Sequence, residues 1–598
     1  MSKTKRTVCF VLSAVLMIAF VFSTAVFAAE TVEISTFEQL LQINDTPDGN
    51  YKLVSDIDLS GKVFSGPPIK NFSGTFDGNG HTITGLNVQS SYQSALIGTL
   101  TGTVTGLTVM GNINITSESG PAVYAGAIAA VNGGAVLRSY CDVIVDVTSS
   151  GVIYAGAVTG SNVLNGSTGT VEYCTSTGSV TGLGGTVIYA GGISGAYGNM
   201  RFCDNRCDVT AASESADITY AGGISAFEAS CENCVNSGTV MSSGTFQSFA
   251  GGISAFIGAI QTKTIAFCEN SAGVIAAVDG TSSITDPDQA MAAAGGIVGN
   301  MANTAPVLES VDEAACTSVV HDAANTGSIT AYGYNGAAAS YAGGIAGVVN
   351  GLVYNSFNNN GDEFSADYFG PVFGAVNPSG KLRGKVRNSY YADSSAEYNI
   401  SIGNESTVAQ TEAVPAESLN DPLAYDGFDF ESVWVLGEND SAPSLSLSDI
   451  HNYISTAIEA DCENDSSTTY KCNICGHSYT EIHENTALGH DWDEGKVTTP
   501  EPVRQRVLRP TPVRTMLRIQ EQKQFLLILM HTYGANMYTT MTPQQRQTEQ
   551  RQQNVSTAMQ RIQERQRAQS LKLRKSSTAQ QSLLIWNRAD GTKSMLTM

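Results

Sequence analysis

YAGGISG at 189–195 returns as YAGGISA at 220–226 and as FAGGISA at 249–255. Looser copies stand on either side: YAGAIAA from Tyr124, YAGAVTG from Tyr154, AAGGIVG from Ala293 and YAGGIAG from Tyr341. The first intervals are 30, 35, 31 and 29 residues; the next two widen to 44 and 48. A period of this size predicts a chain that winds one repeated coil, each coil burying its apolar side against the next. Within the block, Tyr124, Tyr154, Tyr189 and Tyr220 are expected to stack from coil to coil. The pairs Gly191–Gly192, Gly222–Gly223, Gly251–Gly252, Gly295–Gly296 and Gly343–Gly344 suit a bend where backbones approach closely, and the following Ile suits the core.

A second landmark precedes each block. It reads YCTSTGSV around Cys174, FCDNRCDV around Cys203, NCVNSGTV around Cys234 and FCENSAGV around Cys268, with SYCDVIVDV at Cys141 as a looser copy. Ala323 and Ser356 take this place in later copies. A small side chain once per coil is what an inward, stacked position requires, so Cys141, Cys174, Cys203, Cys234 and Cys268 are expected to form a buried core ladder, whose redox state the sequence leaves open. The neighbours Cys203/Cys207 and Cys231/Cys234 are the pairs able to oxidise. Coils this short, made of strands and turns only, indicate an all-β parallel β-helix rather than a propeller, whose blades are longer. Upstream, TFEQLLQIN (36–44) has helical spacing with Ser35 or Thr36 as N-cap, and is expected to cover the open end of the solenoid. FSGTFDGNGHTITGLNV (72–88) reads as strands broken by a tight Asp-Gly-Asn-Gly turn.

SDIDLSG, FSGTFDGNGHTITGL and the repeated G-[GA]-[IV]-x-[GA] blocks together resemble the GLUG-motif, right-handed, pectin-lyase-like β-helix proteins of Gram-positive and other gut bacterial surfaces. ESLNDPLAYDGFDFESVW (417–434) and APSL from Ala442 resemble their closing segment. The resemblance covers roughly 30–450. It implies a surface or secreted protein serving adhesion or display, and says more about location and architecture than about activity.

The ends of the chain differ from its body. Lys3, Lys5 and Arg6 precede an apolar run from Val8 to Phe27 with small residues at its end, which predicts a signal peptide over 1–28 and export from the cell. The remaining organisation is a β-helix with its cap over 30–395, a closing segment over 396–450 and a Cys-rich module over 451–500. In that module Cys462, Cys472 and Cys475, with His490 as fourth ligand, have the spacing of a structural Cys3His zinc site, and the segment resembles zinc-ribbon-like repeats of clostridial surface proteins. A disulfide or free thiols are the alternatives. Half of the chain's 32 Lys and Arg lie in 503–598, where only 2 of its 60 Gly occur. Back-translation of that stretch, read one base out of phase, permits phrases typical of the preceding repeats. The 501–598 tail is therefore read as frameshifted, disordered and without evolved function.

The body from 30 to 502 carries a net charge of −38, which excludes binding to nucleic acid or anionic lipid through counter-ion release. The expected partners are host or bacterial glycans or proteins, with membrane contact only through the signal peptide. Catalysis finds little support. Arg138, Arg201, Arg206 and Lys263 are the bases between 89 and 380, too few and too scattered for a lyase, which needs a base among charge-stabilising groups. Lys381, Arg383, Lys385 and Arg387 read as a solvated last coil. Asp77 and His81 look like an acid–base pair but are explained by turn chemistry. HENTA at His483 lacks the second histidine of a metallopeptidase helix, Ala487 standing in its place. No catalytic residue is assigned. A carbohydrate-active enzyme using the long insertions, or a mere spacer, are the competing functions.

Overall fold

The computed structural model describes residues 31–118, 120–214, 218–258, 260–278, 290–303, 316–333, 338–360, 364–378, 384–392, 409–437, 441–446, 453–458, 460–462, 464–472, 478–483 and 486–487. The predicted signal peptide 1–28, parts of the widened repeat intervals (279–289, 304–315 and 334–337), Cys475, His490 and the whole of 501–598 lie outside them. No helix among the described residues is long and apolar enough to cross a membrane.

The chain is a parallel β-helix. One coil shows the plan. Asn199–Arg201, Asp204–Asn205 and Asp208–Ala212 run along a long face, Ile218–Gly222 forms a second face and Ser225–Phe227 a third. The next coil repeats it in register: Tyr220 lies against Phe249, Ser225 against Ser254 and Val209 against Val240. Stacking builds parallel sheets of 26, 9 and 10 strands. Interior positions form columns of similar side chains, and the Ile of the YAGGI, FAGGI and AAGGI blocks (Ile193, Ile224, Ile253, Ile297 and Ile345) is fully buried.

The long face is creased once per coil by a residue in the left-handed conformation. Arg138, Tyr173, Phe202, Asn233, Phe267, Asp322, Asn355 and Asn388 all have φ between 43° and 55°. Each such residue costs about 1–2 kcal/mol, and the residue after it offsets part of that. The next side chain donates to the carbonyl two residues back: Cys174 Sγ to Glu172 O (3.4 Å), Cys203 Sγ to Arg201 O (3.5 Å), Cys234 Sγ to Glu232 O (3.4 Å) and Cys268 Sγ to Ala266 O (3.2 Å). Ser139, Ser356 and Ser389 make the same bond through a hydroxyl. The column thus needs a small side chain, and Cys and Ser interchange in it as donors, while Ala323 fills the place without a donor.

Cys141 is not part of this column. Ser139 holds that place, and Cys141 pairs with Ser176 two residues further along. The loose motif aligns on its one cysteine, whereas register is set by the bend. The column that holds Cys141, after Ile83 and Val109, continues through Ser176, Asn205, Asn236, Asn270, Asn325 and Asn358. Its side chains link coil to coil inside the solenoid: Asn205 Nδ2 donates to Asn236 Oδ1 (2.7 Å), Asn236 to Asn270 (2.7 Å), Asn270 to Asn325 (2.8 Å) and Asn325 to Asn358 (2.8 Å). Each amide also donates to the carbonyl two residues on, as Asn205 does to Cys207, so buried polar groups are satisfied in both directions.

At the N-terminal end the helix Phe37–Gln42 is capped by Thr36, in a reciprocal box with Gln39, and places Leu40 in the core. The turn at 78–81 has Asn79 and Gly80 in the left-handed region, and Asp77 Oδ1 accepts from Asn79 N (2.8 Å). Near the other end Ala409–Val414, within the predicted closing segment, adds one more parallel rung. The chain then crosses the outside of the long face. Trp434, 2% exposed, donates through its indole to Asp322 Oδ1 (3.0 Å), and Leu445 N donates to Glu269 Oε1 (3.0 Å). Tyr453–Ile458, Ser466–Cys472 and Ser478–His483 form a separate antiparallel sheet.

Candidate functional site

The corner between the second and third faces is re-entrant, and the YAGG block makes it so. A Cβ on Gly222 would stand 2.0 Å from Ser225 O, and one on Gly223 2.0 Å from Gly252 O. The first position of the corner is glycine in every block of the repeat, and the second is Gly or, at Ala127 and Ala157, alanine. Ala221 points into the core while Tyr220 points out. The outcome is a groove on the molecule's flank, packed with its own apolar cluster distinct from the core.

One wall of the groove is the tyrosine column. Tyr124, Tyr154, Tyr189, Tyr220 and Phe249 stack ring on ring at 5.0, 4.9, 5.1 and 5.4 Å. Each such pair adds about 0.5–1.5 kcal/mol beyond the area it buries. The facing wall carries Phe227 and Phe256, stacked at 5.3 Å, and their edges meet Tyr220 and Phe249 at 5.2 and 5.7 Å. The floor is a column of small residues, Gly195, Ala226, Ala255, Gly299 and Gly347, set against the opposite backbone. A Cβ on Gly195 would meet Ala155 N at 2.7 Å.

Polar groups stand behind the aromatic walls. The hydroxyls of Tyr154 and Tyr197 are hydrogen-bonded, and the Glu228 carboxylate lies near Tyr197 and Tyr220. Burial holds the phenols of Tyr154, Tyr189 and Tyr220 well above their ordinary value, so they stay protonated at neutral pH. Lys263 is pushed down by burial, with the Glu228 charge opposing the shift. Glu228 is 1% and Lys263 7% exposed. A carboxylate, an amine and two phenols are the ingredients of proton transfer, but here they sit inside the wall, not open to a substrate.

The other sequence candidates fall elsewhere. Arg201 pairs with Glu232 (3.0 Å) and Arg206 with Asp204 (2.7 Å). His81 Nδ1 faces Asp56 at 3.0 Å, not Asp77. Lys385 and Arg387 lie half-buried on the strand Lys385–Ala392. Cys462 is exposed and Cys472 ends a strand; with Cys475 and His490 outside the described residues, the zinc reading has no geometry to test. No group of three metal-ligating side chains occurs among the described residues. A cleft of about 230 Å³ lies beneath the closing segment, between Ser441–Ser444 and the rungs at Glu269, Ala324 and Phe357. Its one carboxylate, Glu269, is raised by burial and held back by the bond from Leu445 N. The groove's second wall, Phe227 and Phe256, was missed in the sequence; its signal was the aromatic two positions after the Ser of YAGGIS and FAGGIS.

No family model matches the chain, and no curated protein does. Among solved structures it is similar to the crystal structure of a putative immunoglobulin A1 protease from Bacteroides ovatus. The identity is 16%, over 70% of this chain and 92% of that one, with a TM-score of 0.32. A likeness at that score carries no chemistry across.

Proposed function

We propose that this is a non-enzymatic, secreted or cell-surface β-helix protein that holds a glycan or protein ligand along its flank, in an adhesion or display role. The observation that carries this reading is the aromatic groove, an apolar cluster outside the core built on the tyrosine column. Two further facts support it. Arg201 and Arg206 are each engaged by a carboxylate, and Glu228 and Lys263 are sealed in the groove wall, which leaves them poorly placed for turnover. The buried Glu228, Lys263 and Tyr197 are the one observation that favours the carbohydrate-active alternative.

A glycan array probed with the full chain lacking its leader, run beside a turnover screen on neutral and acidic polysaccharides, separates the two. Binding without product formation is expected. Product formation that disappears in Glu228→Gln would replace this reading with the enzymatic one.

A further inference from the structure

Cys174, Cys203, Cys234 and Cys268 occupy the column just after the bend of the long face, where a small side chain is required. Cys231 has no such reason to be a cysteine. It stands before the bend, in a column otherwise made of larger apolar side chains: Val136, Val171, Met200, Ile265, Val320 and Val353. The thiol interrupts that column in a coil whose other side of the bend also carries a thiol. The result is Cys231-Glu232-Asn233-Cys234, two cysteines flanking the left-handed Asn233. Their side chains meet inside the solenoid. Cys234 Sγ lies within side-chain bonding reach of Cys231, and of Cys203 and Cys268 on the neighbouring rungs. Cys231 is 1% and Cys234 0% exposed. Cys203 and Cys207, equally close in sequence, are not joined in this way, for Cys207 has Ser176 beside it. The thiols are reduced in this structure, and among the described residues no three of them form a group able to hold a metal ion.

We propose that Cys231 and Cys234 form a disulfide across this bend, made before the coil closes over them and then sealed by folding. The oxidant is an external disulfide. The Cys234 thiolate attacks one of its sulfurs and releases the first thiol; the Cys231 thiolate then attacks Cys234 Sγ of the mixed disulfide and releases the second. Two electrons and the two cysteine protons pass to the oxidant, which leaves as two thiols. Timing follows from burial, because neither sulfur is open to an oxidant once the coils have stacked. An exported chain, as proposed above, meets such oxidants, but the bond itself is tested without export. It replaces the hydrogen bond from Cys234 Sγ to Glu232 O, a loss the column tolerates, since Ala323 fills the same place without a donor. Burial pushes the thiols of Cys203 and Cys268 up, so neither supplies the thiolate that would exchange with the sealed bond. The bend so fixed belongs to the coil that goes on to supply Phe249 and Phe256 to the groove.

The test refolds the full chain without its leader from denaturant in a glutathione redox buffer. The product is alkylated in denaturant without reductant, and its peptides are weighed. A peptide about 2 Da light, the two hydrogens lost on oxidation, is expected with Cys231 and Cys234 unalkylated and Cys174, Cys203 and Cys268 alkylated. Cys231→Val, which restores the residue type found elsewhere in its column, should leave Cys234 alkylated. Glutathione disulfide added to chain already folded in reductant should give about tenfold less of the joined peptide, since the coils must first open. Reductant should spare the bond in the native chain and remove it in denaturant. Alkylation of both Cys231 and Cys234 after oxidative refolding would overturn the proposal. So would Cys234 joined to Cys203 or Cys268 instead, or reduction of the native chain as fast as that of the denatured one. None of these readouts involves a ligand or a host cell, so the adhesion reading stands or falls separately.

Discussion

Replacing Asn236 by Ala cuts the internal amide ladder at its middle. Asn236 donates to Asn270 Oδ1 and to Gly238 O at 2.7 and 2.9 Å, and accepts from Asn205 Nδ2 and Gly238 N at 2.7 and 3.3 Å. Alanine removes all four bonds, and in a fully buried column their partners are left without replacements. Asn205 Nδ2 keeps only its bond to Cys207 O. At about 1 kcal/mol for each bond lost, the expected destabilisation is about 4 kcal/mol. Solenoids open locally, because each coil touches only its neighbours, so a single melting temperature understates the effect. Native-state hydrogen exchange reads it directly. Amides of the coils around 203–240 and 268–275 should lose protection, while those near Ile83 and Val109 keep theirs. Asn199→Ala, at an exposed position on the same long face, is the control. If Asn236→Ala costs no more than that control, the ladder does not hold the coils together.

Three further outcomes follow from the same geometry. Gly223→Ala would place a methyl 2.0 Å from Gly252 O and 2.4 Å from Asn236 Cγ; it should cost about 3 kcal/mol, at the upper end of overpacking, whereas Gly66→Ala, with open space around it, should be neutral in denaturant titrations. Burial pushes the Cys141 thiol up and that of Cys207 to about 12, so iodoacetamide on the native chain should modify exposed Cys462 and spare both, with denaturant exposing all; mass spectrometry of peptides decides, and modification of native Cys207 would contradict the packing. Burial also raises Glu269 above the ordinary carboxylate range. The folded state then binds its proton more tightly than the unfolded one, so stability falls as pH rises from the ordinary value through the raised one. Glu269→Gln should flatten that fall in a series of pH-dependent melts, and an unchanged slope would remove Glu269 as its source.

Much of this fold was legible because each coil repeats its demands. Glycine at the corner, Ile in the core and an aromatic on the flank recur at one interval, so their columns followed from alignment alone. The thiol column was read from smallness, and its donor role was not, since a hydrogen bond to a carbonyl two residues back leaves no trace in hydropathy. That is why Cys141 was misplaced: the invariant is the left-handed residue before the column, and Arg138, Tyr173, Phe202 and Asn233 share nothing visible in sequence. The asparagines stood in the motifs CDN, CVN and CEN but resembled turn residues. The groove was half legible. The tyrosine wall is part of the repeat, but the phenylalanine wall occupies only two coils, and a re-entrant corner is a property of backbone geometry.

The re-entrant corner always has the same length. From the last Gly of the tyrosine strand to the first residue of the third face the chain takes the same number of steps in the coils at Tyr154, Tyr189, Tyr220, Phe249, Ala293 and Tyr341. The added residues fall at the other corners. This corner therefore works as a phase mark. A tandem duplication of any whole coil would keep every column aligned and lengthen the flank by one rung, so evolution can tune reach without redesigning what is already stacked.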